Sequence, residues 1–126
     1  MSKRRAIATT WSAIPDEEVR PGVRRRGFGN EGAMLVMNEL HPGMQLNPHV
    51  HEAFDQLAYI VSGTGVYHVD GVDHPVGPGS LILIPAGQTH YIKPTGSDPV
   101  MNLDVFGPPR SDYAHLVEWM KAGPKG

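Results

Sequence analysis

The apolar residues of this chain fall into short runs divided by turn-forming residues. The runs AMLVMNEL (33–40), DQLAYIVS (55–62), GVYHV (65–69), VDHPV (72–76), SLILI (80–84), THYIK (89–93) and VMNLDVF (100–106) each read as a strand. Between them lie HPG (41–43), SGTG (62–65), the Asp70-Gly71 pair, GPG (77–79), PAG (85–87) and PTGSDP (94–99). Asp-Gly is the strongest short hairpin signal of the set. Turn signals thus recur about every 8 to 12 residues, the spacing of an antiparallel sandwich or barrel. Only SDYAHLVEWMKAG (111–123) reads as helical, with Ser111 as cap, Leu116 and Met120 four apart, and Gly123 and Pro124 as a stop. Residues 1–30 are expected to be irregular, because Pro15 and Pro21 oppose long regular structure and only Asp16 to Glu18 offer a short turn. The predicted class is all-β with a short C-terminal helix.

Composition narrows the chemistry. A chain of 126 residues suits one domain with one core. With 11 Lys+Arg against 13 Asp+Glu, general electrostatics predict no nucleic-acid partner. The basic residues cluster early, at Lys3, Arg4, Arg5, Arg20, Arg24, Arg25 and Arg26, either as a solvated segment or as a contribution to binding an anion. With no cysteine, disulfides, thiolate metal sites and a Cys nucleophile are all excluded. Neither a signal-peptide core nor a run of about 18 apolar residues is present, so the expectation is a soluble cytoplasmic protein without a membrane partner.

The candidate chemistry lies in GMQLNPHVHEAFDQLAYIVSG (43–63). On a strand, residues i and i+2 share a face about 6.6 to 6.8 Å apart, so His49 and His51 can converge on one ion. Gln56 follows where a carboxylate would be more usual, and HEAFD leaves room for a turn or bulge before it. His41, His68, His74 and His115 read as solvated or structural. In VMNLDVF, Met101, Leu103 and Val105 form one face while Asn102, Asp104 and Phe106 form the other; the period alone does not say which face points inward.

Written as spacings, the chain runs Gly43-x5-His49-x-His51-x4-Gln56-x6-Gly63 and then Gly79-x5-Pro85-x-Gly87-x2-His90. This resembles the two motifs of the cupins, G-x5-H-x-H-x3,4-E-x6-G and G-x5-P-x-G-x2-H-x3-N. Gln56 departs from the first and Pro94 from the second. The resemblance covers residues 31–106 and implies a single-domain jelly-roll β-barrel (31–110), preceded by the arm 1–30 and followed by a short helix and tail (111–126). It also implies that His49, His51, Gln56 and His90 surround one divalent metal ion. Three imidazoles and an amide oxygen suit Zn, Ni, Fe or Mn and leave the ion's charge uncompensated.

The ending LDVFGPPRSDY and the upstream PGVRRRG further resemble the KdgF cupins of pectin and alginate breakdown. That resemblance implies a metal held by three His and a Gln, with Asp104, Phe106 and Arg110 beside it. The implied activity is the linearisation of a 4,5-unsaturated uronate or similar small carboxylate: the metal as Lewis acid, Asp104 as acid/base, Arg110 paired with the carboxylate, and Phe106 as an apolar wall. Two other readings remain: an Fe(II) dioxygenase, and a non-catalytic cupin that binds a sugar acid or another small anion. A homodimer is expected from the family and from the number of apolar strand faces, MLVM and LILI among them.

Overall fold

The computed structural model describes residues 5–107 and 111–122. Nine strands follow a short 3-10 turn at Trp11–Ala13: β1 (Glu17–Arg20), β2 (Val23–Gly29), β3 (Met34–Leu40), β4 (Gln56–Ser62), β5 (Gly65–Val69), β6 (Val72–Val76), β7 (Leu81–Ile84), β8 (His90–Pro94) and β9 (Val100–Phe106). They form a six-stranded sheet, ordered β1-β2-β3-β9-β4-β7, and a three-stranded sheet, ordered β6-β5-β8. Every strand pair is antiparallel.

The seven strands read from the hydrophobic pattern are all present, with ends shifted by a residue or two. At Asp70-Gly71 both residues take positive φ, 48° and 82°, as the tight hairpin requires. The arm is where the expectation needs correction. Its irregular part ends at Asp16, and β1 and β2 then extend the large sheet. Pro21 does not interrupt a strand: with Gly22 (φ 84°) it turns a two-residue hairpin whose ends pair as Arg20↔Val23. The strands escape the pattern because Arg24, Arg25 and Arg26 take the place of an apolar alternation. They are held instead by acids, Arg24 and Arg26 on Asp16 and Arg25 on Glu17.

Two clusters make the core. Val23, Leu40, Ala58, Ile60, Tyr67, Val69, Ile84 and Val100 pack between the sheets. Met34, Val36, Phe106 and Leu116 form the second, with Phe54, Tyr113 and Val117 against them. Leu116 comes from the helix Ser111–Ala122, which is a 3-10 helix where the i, i+4 spacing predicts an α-helix. A three-residue period puts Tyr113, Leu116 and Trp119 in one row. That row meets the sheet. Trp119 Nε1 donates to Gly27 O at 3.1 Å, its ring lies 6.1 Å from that of Phe28, and Leu116 packs over Gly27. The Ser111 side chain, Gly123 and Pro124, expected as cap and stop, lie outside the described residues.

Glu17 ties this helix to the hairpin. Its Oε1 accepts from Arg25 Nε at 2.9 Å and its Oε2 lies 2.8 Å from His115 Nε2, while the Arg25 guanidinium sits 4.6 Å from the centre of the Tyr113 ring. No helix among the described residues is long and apolar enough to cross a membrane.

The absence of a side chain at Gly27 is what admits the helix. A Cβ there would stand 2.6 Å from Leu116 Cβ, closer than such atoms approach. Gly27→Ala is therefore expected to lower stability by about 1–3 kcal/mol through overpacking, and denaturant unfolding of the variant beside wild type measures the loss.

Candidate metal centre

The two histidine segments meet through their backbones. His49 and His90 form an isolated antiparallel bridge, His49 N donating to His90 O at 3.0 Å and His90 N to His49 O at 2.8 Å. Gly87 N adds a bond to His51 O at 2.8 Å. These bonds bring together residues 41 positions apart in sequence, 90 − 49. The His49, His51 and His90 rings have centroids 5.0, 4.2 and 5.1 Å apart, and one nitrogen from each falls within 4.8 Å of the others.

Local hydrogen bonds choose the tautomers. His49 Nδ1 lies 2.7 Å from Asn47 O and His90 Nδ1 lies 3.0 Å from Gln88 O. Since a carbonyl only accepts, each Nδ1 carries the hydrogen, and Nε2 is the nitrogen that offers the lone pair in the neutral ring. Burial pushes the His90 imidazole below its ordinary pKa, assisted by the nearby His49 and opposed by the Gln88 carbonyl. Burial thus favours the neutral ring, the form able to offer Nε2 as a ligand. His51 is steadied by the Phe54 ring, stacked at 4.8 Å.

Gln56 opens β4 on the inward face and is 4% exposed. Its Nε2 donates to Asp104 Oδ1 at 2.8 Å. Because a carboxylate only accepts, the amide must present its nitrogen to Asp104 and its oxygen elsewhere. That Oε1 and His90 Nε2 are the two buried polar side-chain atoms without a hydrogen-bond partner among the described residues. Buried acceptors are rarely left so. Two such acceptors lining one cavity, alongside two further imidazoles, are what a cation would satisfy. The donor set of three neutral imidazoles and an amide oxygen fits a divalent metal ion and brings no charge of its own.

Asp104 lies beside this set and faces inward. β9 inverts the usual arrangement, since Asn102, Asp104 and Phe106 point into the fold while Met101, Leu103 and Val105 point out. Besides Gln56, Asn102 Nδ2 donates to Asp104 Oδ1 at 2.8 Å and Asn38 Nδ2 to Asp104 Oδ2 at 2.9 Å. Asn102 Oδ1 in turn accepts from the buried Tyr67 hydroxyl at 2.6 Å. Burial, and secondarily the Asp104 charge, raise the Tyr67 pKa well above its ordinary value despite the Asn102 bond, so the phenol stays a donor. Three amides thus orient one carboxylate. Asn38 and Tyr67 escape a sequence reading, although Asn38 left a trace as a polar residue in the inward row Met34, Val36, Asn38, Leu40.

Phe106 sits elsewhere than expected. It is buried in the second cluster, edge-on to Phe54 and Tyr113 at 5.8 Å each, and Phe54 in turn stacks on His51. Arg110 lies outside the described residues. His41 and His68 pair with Glu39 and Asp73 at the surface, as expected of structural histidines, and His115 with Glu17.

A cavity of about 410 Å³ opens onto the centre, lined by His49, His51, Gln56, His90 and Asp104 and, across it, by Arg20 and Arg25. Its size suits a ligand such as a single sugar acid.

The Gln56 amide explains the missing carboxylate, because a Glu at this position would put a second negative oxygen against Asp104 Oδ1. In metal-free protein, Gln56→Glu is expected to cost about 1–3 kcal/mol at neutral pH. The crowded carboxyls have a raised pKa in the folded state, so the native form binds more protons than the unfolded one and the loss shrinks as pH falls. Thermal melts of both proteins between pH 5 and 8 measure it; a variant as stable as wild type at the upper end would show that the amide is not what accommodates Asp104.

Comparisons with known proteins agree with this fold. Residues 36–106, more than half of the chain, match the family model described as the cupin domain. The oxalate-binding protein of Thermotoga maritima is 32% identical over 73 residues, 58% of this chain and 60% of that protein. The pectin degradation protein KdgF of Dickeya dadantii is 25% identical over 100 residues, 79% of this chain and 90% of that protein. Among solved structures, KdgF from Halomonas sp. superposes with a TM-score of 0.76 at 24% identity, covering 86% of this chain and 98% of that one. Fold, motif spacing and family match converge, and the chain belongs to the cupin family.

Proposed function

We propose that the protein is a metal-dependent enzyme that opens the ring of a 4,5-unsaturated uronate or a closely similar small carboxylate. The observation that carries this reading is the Gln56 amide, which holds Asp104 with its nitrogen and leaves its oxygen without a hydrogen-bond partner among the described residues, in a cavity that three imidazoles also line. An acid/base group and a charge-neutral metal set are thereby coupled in one cavity. Similarity to the KdgF of Dickeya dadantii supports the substrate class.

A divalent ion held by His49, His51, Gln56 and His90 would supply Lewis acidity to ligand oxygens. The remaining work falls to the chain. Asp104 takes the proton of the anomeric hydroxyl as the bond between C1 and the ring oxygen breaks, which leaves an aldehyde at C1 and an enolate at C5. The same proton, returned by Asp104 to C4, converts the enolate to a ketone. Atoms and electrons balance as an isomerisation, with no oxidant. The amides of Asn38, Gln56 and Asn102 fix the carboxylate in place for both transfers, and Phe106 supports His51 from behind through Phe54. Arg110, by its match to the KdgF ending, adds positive charge for the sugar carboxylate.

Asp104→Asn is expected to keep its metal content and to lose about a hundred- to ten-thousand-fold in turnover, measured by elemental analysis and an NMR time course on an unsaturated uronate. Undiminished turnover in metal-replete variant protein would end the assignment. Oxygen consumption would point to dioxygenase chemistry instead, and uronate recovered unchanged to a binding protein.

We also propose that the protein acts as a homodimer through the outer face of the large sheet. There Leu57 pairs with Leu83 and Tyr59 with Leu81, and the apolar row continues through Leu103 and Val105 of β9 to Leu35 of β3. Leu81 is 79% exposed and Leu83 57%, a contiguous patch of the kind that marks an interface. Leu81→Lys with Leu83→Lys is expected to convert a dimer to a monomer in light scattering, with the single-chain fold kept by circular dichroism.

A further inference from the structure

Four arginines stand on the β1–β2 hairpin, and three of them are paired with acids. Arg24 and Arg26 share Asp16, and Arg25 is held by Glu17. Arg20 is different. Its Nε donates to the Gln45 carbonyl at 3.1 Å, and among the described residues no carboxylate lies within 4.0 Å of its guanidinium. Both Nη groups are left without an acceptor among those residues.

The backbone turns this cation inward on purpose of geometry alone. Glu17 pairs with Arg25 and Arg20 with Val23, and Val23 and Arg25 share the face that lines the cavity. In a regular strand, Glu17 and Arg20, an odd number of residues apart, would point to opposite faces. The register shift between Glu18 and Arg20 undoes this, as a bulge re-aims a side chain, and the Pro21-Gly22 turn fixes the result. Arg20 therefore lines the same cavity as His49, His51, Gln56, His90 and Asp104. Partial burial there works against its charge, and no carboxylate of the described residues lies within 4.0 Å to offset it.

We propose that Arg20 is a carboxylate-recognising residue of this cavity, its Nη groups receiving an anionic group of the ligand while Nε stays on Gln45. The inference deepens the reading of the cavity as a sugar-acid site and takes its ligand class from it. A planar guanidinium anchored at Nε presents its remaining donors in a fork that matches two carboxylate oxygens. The cavity would then select its ligand by charge at the hairpin, independently of the metal.

The test compares galacturonate with its neutral methyl ester, by calorimetry on full-length, metal-loaded protein. Arg20→Gln is expected to weaken galacturonate about tenfold or more, and to leave ester affinity and metal content unchanged. Arg20→Lys, which keeps the charge without the fork, falls between the two and stands in if the Gln variant melts early. Equal weakening of acid and ester would overturn the proposal, since it would mean that Arg20 merely braces the Gln45 loop. So would a galacturonate affinity within about twofold of wild type in the variant, or wild-type protein that binds the acid no better than the ester. Turnover of an unsaturated uronate reports separately on the reaction: acid-over-ester selection that depends on Arg20, in a protein that leaves the uronate unchanged, would overturn the ring-opening assignment and uphold the subsite.

Discussion

A carboxylate set partly out of water needs donors, and the interior of this protein is arranged around meeting that need at Asp104. Three amides, from β3, β4 and β9, converge on it. Each amide is thereby fixed in orientation, and each fixed amide constrains something further. Asn102 is oriented by Tyr67 from the opposite sheet, so the two sheets are joined by a polar link as well as by apolar packing. Gln56 is turned so that its oxygen faces away from the carboxylate, leaving a buried acceptor unmatched. The candidate centre and the carboxylate are two ends of one network.

The motif spacings carried much of this in advance. Gly43-x5-His49-x-His51 and Gly79-x5-Pro85-x-Gly87-x2-His90 are legible because turn chemistry and a two-residue period fix where such side chains go before any long-range contact is known. The apolar strands were legible for the same reason. What could not be read depended on partners distant in sequence. β1 and β2 lack an apolar alternation and exist through Asp16, Glu17 and their arginines. The facing of β9 was undecidable from its own period, because both of its sides are used, one for Asp104 and one for an apolar surface. Phe106 shares a face with Asp104 in sequence, yet its position at the strand end delivers it to the second core. The helix took a three-residue period because the row Tyr113, Leu116, Trp119 finds Gly27 beneath it, a fact about another strand.

The N-terminal hairpin, unremarkable in composition, proves to be a wall of the cavity. Arg25 and Tyr113 both line the cavity, and Glu17 ties the hairpin to the helix through Arg25 and His115, so segments far apart in the chain close one side together. Burial works to raise the Glu17 carboxyl, but the hydrogen bond and charge of Arg25, with His115 behind them, hold it below its ordinary range. The clamp therefore contributes at neutral pH and weakens only as acid protonates Glu17.

The imidazoles of His49 and His90 are aimed by carbonyls two residues upstream in their own segments, at Asn47 and Gln88. Their orientation is thus a property of backbone course, indifferent to which side chains fill the rest of the cavity. The walls can be exchanged residue by residue for a different ligand while these two lone pairs keep their aim. Selectivity and reactivity are, in this architecture, separately adjustable parts.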